Sequence, residues 1–81
     1  MKFEVTNALG NKITCRMLFC FKNNDINYVV YTNGHRTKGV LDVYASRYIL
    51  VNNQFILGNI ESSKEWDIVD YHLSNYLKEA V

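Results

Sequence analysis

The periodicity of the chain changes once, near Ile60, and that change limits the folds open to it. Upstream, apolar and polar residues alternate with the period of two that sends successive side chains to opposite faces of a strand. Downstream, Ser62-Ser63-Lys64-Glu65-Trp66 opens a stretch of helical period that runs almost to Val81. Strands followed by a helix predict an α+β fold: an antiparallel meander of four to five strands with one C-terminal helix packed on a sheet face. The strands fall within residues 2–58 and the helix at about 63–79, and the 81 residues are read as a single domain.

Residues 2–6 form a short first strand with Phe3 and Val5 on one side. Residues 12–21 form a long second strand whose core face is expected to hold Ile13, Cys15, Met17, Phe19 and Phe21. In residues 27–32, Tyr28/Val30 and Val29/Tyr31 make both faces apolar, as a central strand requires. A further long strand is expected over 40–49 and a short last one at Phe55-Ile56-Leu57. The connections at 7–11, 22–25 and 52–53 are rich in Asn and Gly, which tolerate positive φ, and 33–39 reads as a polar loop. Hairpin-like connections throughout favour the antiparallel arrangement.

The helix opens on a capping box, with Ser62 as N-cap and Glu65 at N3. Trp66, Val69, Leu73, Leu77 and Ala80 fall in one stripe, with Tyr76 at its edge. Trp66, which can bury about 200 Å², is the expected anchor on the sheet. Ile68 and Tyr71 lie on the opposite side and are expected to face water.

Net charge is +1, which by itself points neither to nucleic acid nor to membrane, but its distribution is uneven. Residues 1–60 carry seven Lys and Arg against three Asp and Glu, whereas residues 61–81 carry two against five. Glu61, Glu65, Asp67 and Asp70 crowd the helix start and Lys78 sits near its end, where the macrodipole favours them. That local cause is sufficient; a basic binding face on the sheet is the sharper alternative.

Several function classes lack support. Apolar runs such as Ile49-Leu50-Val51 fall far short of the roughly 20 residues that span a membrane. Met1-Lys2-Phe3-Glu4 shows no secretory signal, so a cytoplasmic location is expected. Cys15 and Cys20, about 16–17 Å apart on a continuous strand and on opposite faces, cannot bridge. With His35 and His72 they make an irregular set for zinc, so reduced thiols and no metal are expected. No nucleophile elbow, P-loop or zincin motif occurs, and Ser62 and Ser63 are accounted for by capping. No catalytic residue and no cofactor is expected.

Two binding classes remain. His35, Arg36 and Lys38 form a basic tip suited to nucleic acid, with Tyr28, Tyr31, Tyr44 and Tyr48 available to stack bases if exposed. The near-neutral charge and the lack of a known RNA-binding signature weigh against it. The alternative is a solvated loop with tyrosines packed across strands. Ile68 and Tyr71 form a candidate patch for a protein partner or for weak self-association, and the edge of the first strand is a second place where another chain can add. A non-enzymatic protein-interaction module is the favoured expectation, with nucleic-acid binding as the alternative.

Four segments carry a resemblance: Cys15-Arg16-Met17-Leu18-Phe19, Tyr28-Val29-Val30-Tyr31, Val43-Tyr44-Ala45-Ser46, and Ile60-Glu61-Ser62-Ser63-Lys64-Glu65-Trp66-Asp67. In order and spacing they resemble the YrzB-like family of small bacterial proteins across nearly the whole chain. The resemblance implies a cytoplasmic protein with no established activity, cofactor or catalytic residue, and so no site to carry over. The chain departs from the strongly acidic members of that family in its basic sheet and in Ser63-Lys64 before Glu65-Trp66.

Overall fold

Three tight hairpins shape the fold, each turning on two residues with positive φ: Asn24-Asp25, Lys38-Gly39 and Asn52-Asn53. Positive φ at both central positions is the type I′ signature, whose twist matches that of paired strands. The computed structural model describes residues 2–6 and 10–79. Within them run β1 (Lys2–Thr6), β2 (Lys12–Asn23), β3 (Ile26–Thr32), β4 (Arg36–Thr37), β5 (Val40–Leu41), β6 (Tyr44–Val51), β7 (Gln54–Gly58) and α1 (Ser63–Glu79). Residues 7–9 of the turn expected at 7–11, and Ala80 of the expected stripe, lie outside the described residues.

The expected α+β layout is found. β1, β2, β3, β6 and β7 form one antiparallel sheet in that order, so consecutive strands of the meander are neighbours, and β3, apolar on both faces, is central. The long strand expected over 40–49 is instead divided. Thr32, buried at the end of β3, donates its hydroxyl to the Asp42 carbonyl (2.6 Å), and Asp42 N–H donates to the His35 carbonyl (2.9 Å). These bonds fold 36–41 back as the separate hairpin β4–β5, so the expected polar loop is partly strand.

The core face expected on β2 is also divided. Met17 opposes Tyr31 and Phe19 opposes Val30, so Leu18 is an extra residue, a β-bulge that reverses the alternation. Cys15 and Met17 therefore face one way, and Phe19 and Phe21 the other. Cys20, expected opposite Cys15, shares its face; its thiol lies 3.3 Å from the Met17 sulfur.

Two apolar layers result. On the first face the sheet curls until its edges meet: Phe3 of β1 and Phe55 of β7 stand 5.1 Å apart between ring centroids. Tyr31 packs edge-on to Phe3 at 5.5 Å, and Tyr48 lies 4.9 Å from Phe55. Buried Cys15 and Val29 complete this interior. On the outer face α1 covers buried Tyr28 and Val30. There Phe21 stacks on His72 at 4.1 Å and Phe19 on Tyr76 at 4.9 Å, while Phe21 also stacks on Tyr28 at 4.9 Å.

Candidate interaction surfaces

The helix docks through a polar contact at its start. Ser62 Oγ accepts from Glu65 N–H (3.2 Å), which is one half of the expected capping box. The other half is replaced, because the Glu65 carboxylate turns to the sheet. It accepts from Arg47 Nε of β6 (2.8 Å), from the second guanidinium nitrogen Nη2, and from the Tyr28 hydroxyl of β3 (3.1 Å). The Ser62 hydroxyl lies 3.1 Å from the same carboxylate. The Arg47 guanidinium, aided by these hydroxyls and opposed by desolvation, holds the Glu65 carboxyl down at about 2. Burial, with Glu65 beside it, pushes the Tyr28 phenol up. This cluster joins helix and sheet, and its groups are engaged with one another.

Anchored at Glu65 and at His72/Tyr76, α1 presents a different stripe from the one expected. Val69 is buried, whereas Trp66 is 44% exposed and Leu77 is exposed. Ile68, expected in water, is half-buried, since it lies within a turn of Glu65, Val69 and His72 on the docked side. Tyr71 remains 65% exposed, its ring edge-on to His72 at 5.4 Å. The structure therefore separates the Ile68–Tyr71 pair, leaving Tyr71 as the exposed member.

His35, Arg36 and Lys38 are brought together on the β4–β5 lobe, and all three are exposed. His35 N–H donates to Asn33 Oδ1 (3.0 Å), and Arg36 Nη1 donates to the Gly39 carbonyl (3.3 Å). The tyrosines do not form a stacking platform with them. Tyr28 lies in the core under the helix, Tyr31 and Tyr48 line the curl, and Tyr44 is the exposed one of the four.

Sequence reasoning placed the β6–β7 hairpin but missed its exposed apolar surface. Ile49, Leu50, Val51 and Ile56 are 44–59% exposed around the Asn52-Asn53 turn. Ile49 and Ile56 are cross-strand partners, and Leu50 pairs with Phe55. The signal was present in Ile49-Leu50-Val51 and Phe55-Ile56-Leu57, which do not alternate although β7 is an edge strand. A second unassigned feature is an open groove of about 930 Å³ between β1 and β7, lined by residues 2–5, Lys12, Thr14 and 53–57.

Among the described residues no group of three or more His, Cys, Asp or Glu stands together to hold a metal. No helix among the described residues is long and apolar enough to cross a membrane. Cys15 is buried and free, Cys20 exposed and free, and burial pushes the Cys15 thiol up.

No match was found to a curated protein or to a solved structure. One family model does match, described as "Protein of unknown function (DUF1292)"; it fits the expected family of uncharacterised small proteins, and does not test the YrzB-like name. It spans residues 9–78, most of the chain, and on that match the protein belongs to the DUF1292 family.

Proposed function

We propose that the protein is a small non-enzymatic protein-interaction module of the bacterial cytoplasm. The observation that carries this reading is the exposed apolar β6–β7 hairpin, with Ile49, Leu50, Val51 and Ile56 together at one end of the sheet. Isolated apolar side chains in water are ordinary, but three on one face of an edge hairpin, Ile49, Val51 and Ile56, with Leu50 exposed on the other face, make the kind of surface that partners cover. Covering it gains about 25 cal/mol for each Å² of apolar area removed from water. Tyr71 adds an exposed aromatic on the helix, where such a residue serves as a contact anchor.

The nucleic-acid alternative retains the exposed His35, Arg36 and Lys38 and one exposed ring, Tyr44, but Tyr28, Tyr31 and Tyr48 pack in the fold, so it has charge without a platform of several rings. Affinity capture from a bacterial lysate, with and without nuclease, separates the two. The expected result is nuclease-resistant recovery of a defined protein, lost with Ile49→Ser/Ile56→Ser and kept with Arg36→Ala/Lys38→Ala. Recovery that disappears with nuclease, or follows the opposite pattern of variants, overturns the reading.

A further inference from the structure

We propose that the outer face of the β6–β7 hairpin is a self-complementary interface, on which two copies of the chain pack about a twofold axis through Ile49, Val51 and Ile56. The proposal rests on the protein-interaction reading above and names the partner as a second copy.

A single chain leaves much apolar surface uncovered. Its accessible surface is 6153 Å², whereas a folded monomer of 9.5 kDa exposes about 5,000 Å². The excess of about 1,100 Å² is above the roughly 800 Å² that each partner contributes to a standard stable interface. The radius of gyration is 12.9 Å, against about 11.7 Å for a compact chain of this length. Among the described residues five hydrophobic side chains are buried, Cys15, Tyr28, Val29, Val30 and Val69, while eleven large ones are exposed, and four of those eleven stand on this one hairpin.

The curl decides which side of the hairpin a partner can reach. It turns the edge of β7 toward β1, where the Phe3 and Phe55 rings already meet, so strand addition at that edge is closed. The outer face is open. There α1 comes down on Arg47 and Tyr28 and leaves Ile49, Val51 and Ile56 uncovered. Ile49 and Ile56 stand opposite each other and share with Ile26 of β3 a shallow depression of about 350 Å³.

Charge selects the second copy as occupant. Residues 48–60 hold no charged side chain, although charged residues make up 21% of the chain. Edge strands are ordinarily guarded by Lys or Pro, and this hairpin has neither. A twofold axis sets a patch against itself, so a charge near the axis meets its like, and an uncharged patch suits that arrangement. A different partner is steered by complementary charge, which this face does not offer. The charged residues lining the depression are Asp25 and Arg47, one of each sign, so self-pairing gathers no surplus of either.

Sedimentation equilibrium of the full chain over a range of concentrations tests the proposal. The mass is expected to rise from 9.5 kDa toward twice that value. Ile49→Lys/Ile56→Lys and Ile49→Glu/Ile56→Glu should each stay monomeric, and an equimolar mixture of the two should recover the dimer, because self-pairing sets Lys against Glu. Val51→Lys and Val51→Glu carry the same comparison if either double variant loses the circular dichroism of the wild type. Leu77→Ser, on the exposed flank of α1, should leave the dimer intact. A wild-type mass that stays at 9.5 kDa up to about 1 mM overturns the proposal whatever the variants do. If capture from the lysate still depends on Ile49 and Ile56 in that case, a different protein is the occupant and the interaction module stands. A dimer that survives charge at positions 49, 51 and 56, or is lost with Leu77→Ser, overturns the surface. Failure of the mixture to recover the dimer overturns the twofold self-pairing, and with it the proposal.

Discussion

Glu65 caps a helix and ties that helix to the sheet, and the two tasks draw on different parts of the residue. Its N–H meets Ser62, as the capping-box spacing requires, while its carboxylate meets Arg47 and Tyr28, which are distant in the chain. Its folded-state value of about 2 lies below the ordinary carboxylate value, so the ionised form favours the folded state. That contribution is fully present above about pH 4.5 and is lost as pH falls toward 2. Urea midpoints measured across this window should decline, and Glu65→Gln should remove part of the decline; an unchanged slope in the variant counts against the cluster. A second residue-scale prediction concerns Asp25, which holds φ at 63° in a type I′ turn. Asp25→Gly creates the favoured Asn-Gly pair and should raise stability by about 0.5–1 kcal/mol, whereas a β-branched Asp25→Val should lower it by about 1–2 kcal/mol. Denaturant melts of the two variants check the sign.

The helix shows how elements meet. Its period was legible, and so were its start and its approximate end, because 3.6-residue spacing and capping are local. Its rotation about its own axis was not. A wheel drawn from hydrophobicity puts Trp66 at the centre of the buried stripe, but the docked side centres on Glu65, Val69, His72 and Tyr76. The partners made the choice: Arg47 takes Glu65, and Phe19 and Phe21, placed on the outer face by the bulge at Leu18, take Tyr76 and His72. Trp66→Ala should therefore cost about 1–2 kcal/mol, below the roughly 3–5 kcal/mol of a fully buried aromatic. Val69→Ala, a smaller truncation at a buried site, should cost about 2 kcal/mol. Urea unfolding of both variants tests this; a Trp66→Ala loss well above that of Val69→Ala restores the rotation expected from the wheel.

At the scale of the whole molecule, curvature creates a second apolar layer. A flat sheet with one helix would have a single packed face, yet here Val29 and Val30, adjacent on β3, are both buried, one in the curl and one under α1. Curling also makes the thiols unequal although the bulge puts them on the same face. Cys15 lies deep in the interior opposite Phe3, where burial raises its thiol, and Cys20 is exposed. A thiol reagent at neutral pH should modify one cysteine per chain in the native protein, identified by peptide mapping as Cys20, and two after denaturation. Rapid modification of both in the native state is incompatible with a closed interior. The same curvature brings β1 and β7 close enough to frame a groove, which belongs to the assembled sheet and to neither strand alone.

The sequence by itself determined the kinds of element, their order, the antiparallel meander, the central place of 27–32 and the N-cap at Ser62. All of these depend on residues near one another in the chain: alternation, turn chemistry and capping act over two to four positions. It also held the unalternating Ile49-Leu50-Val51 run, whose exposure became visible once β7 was known to be an edge. Tertiary structure alone decided which way each face points. One extra residue at Leu18 reverses every side chain beyond it, and a buried hydroxyl at Thr32 diverts the chain into the β4–β5 lobe. The Ile68–Tyr71 pair was separated, and the β1–β7 groove formed, for the same reason. Both depend on contacts between segments tens of residues apart, whose geometry is set by packing and not by local pattern.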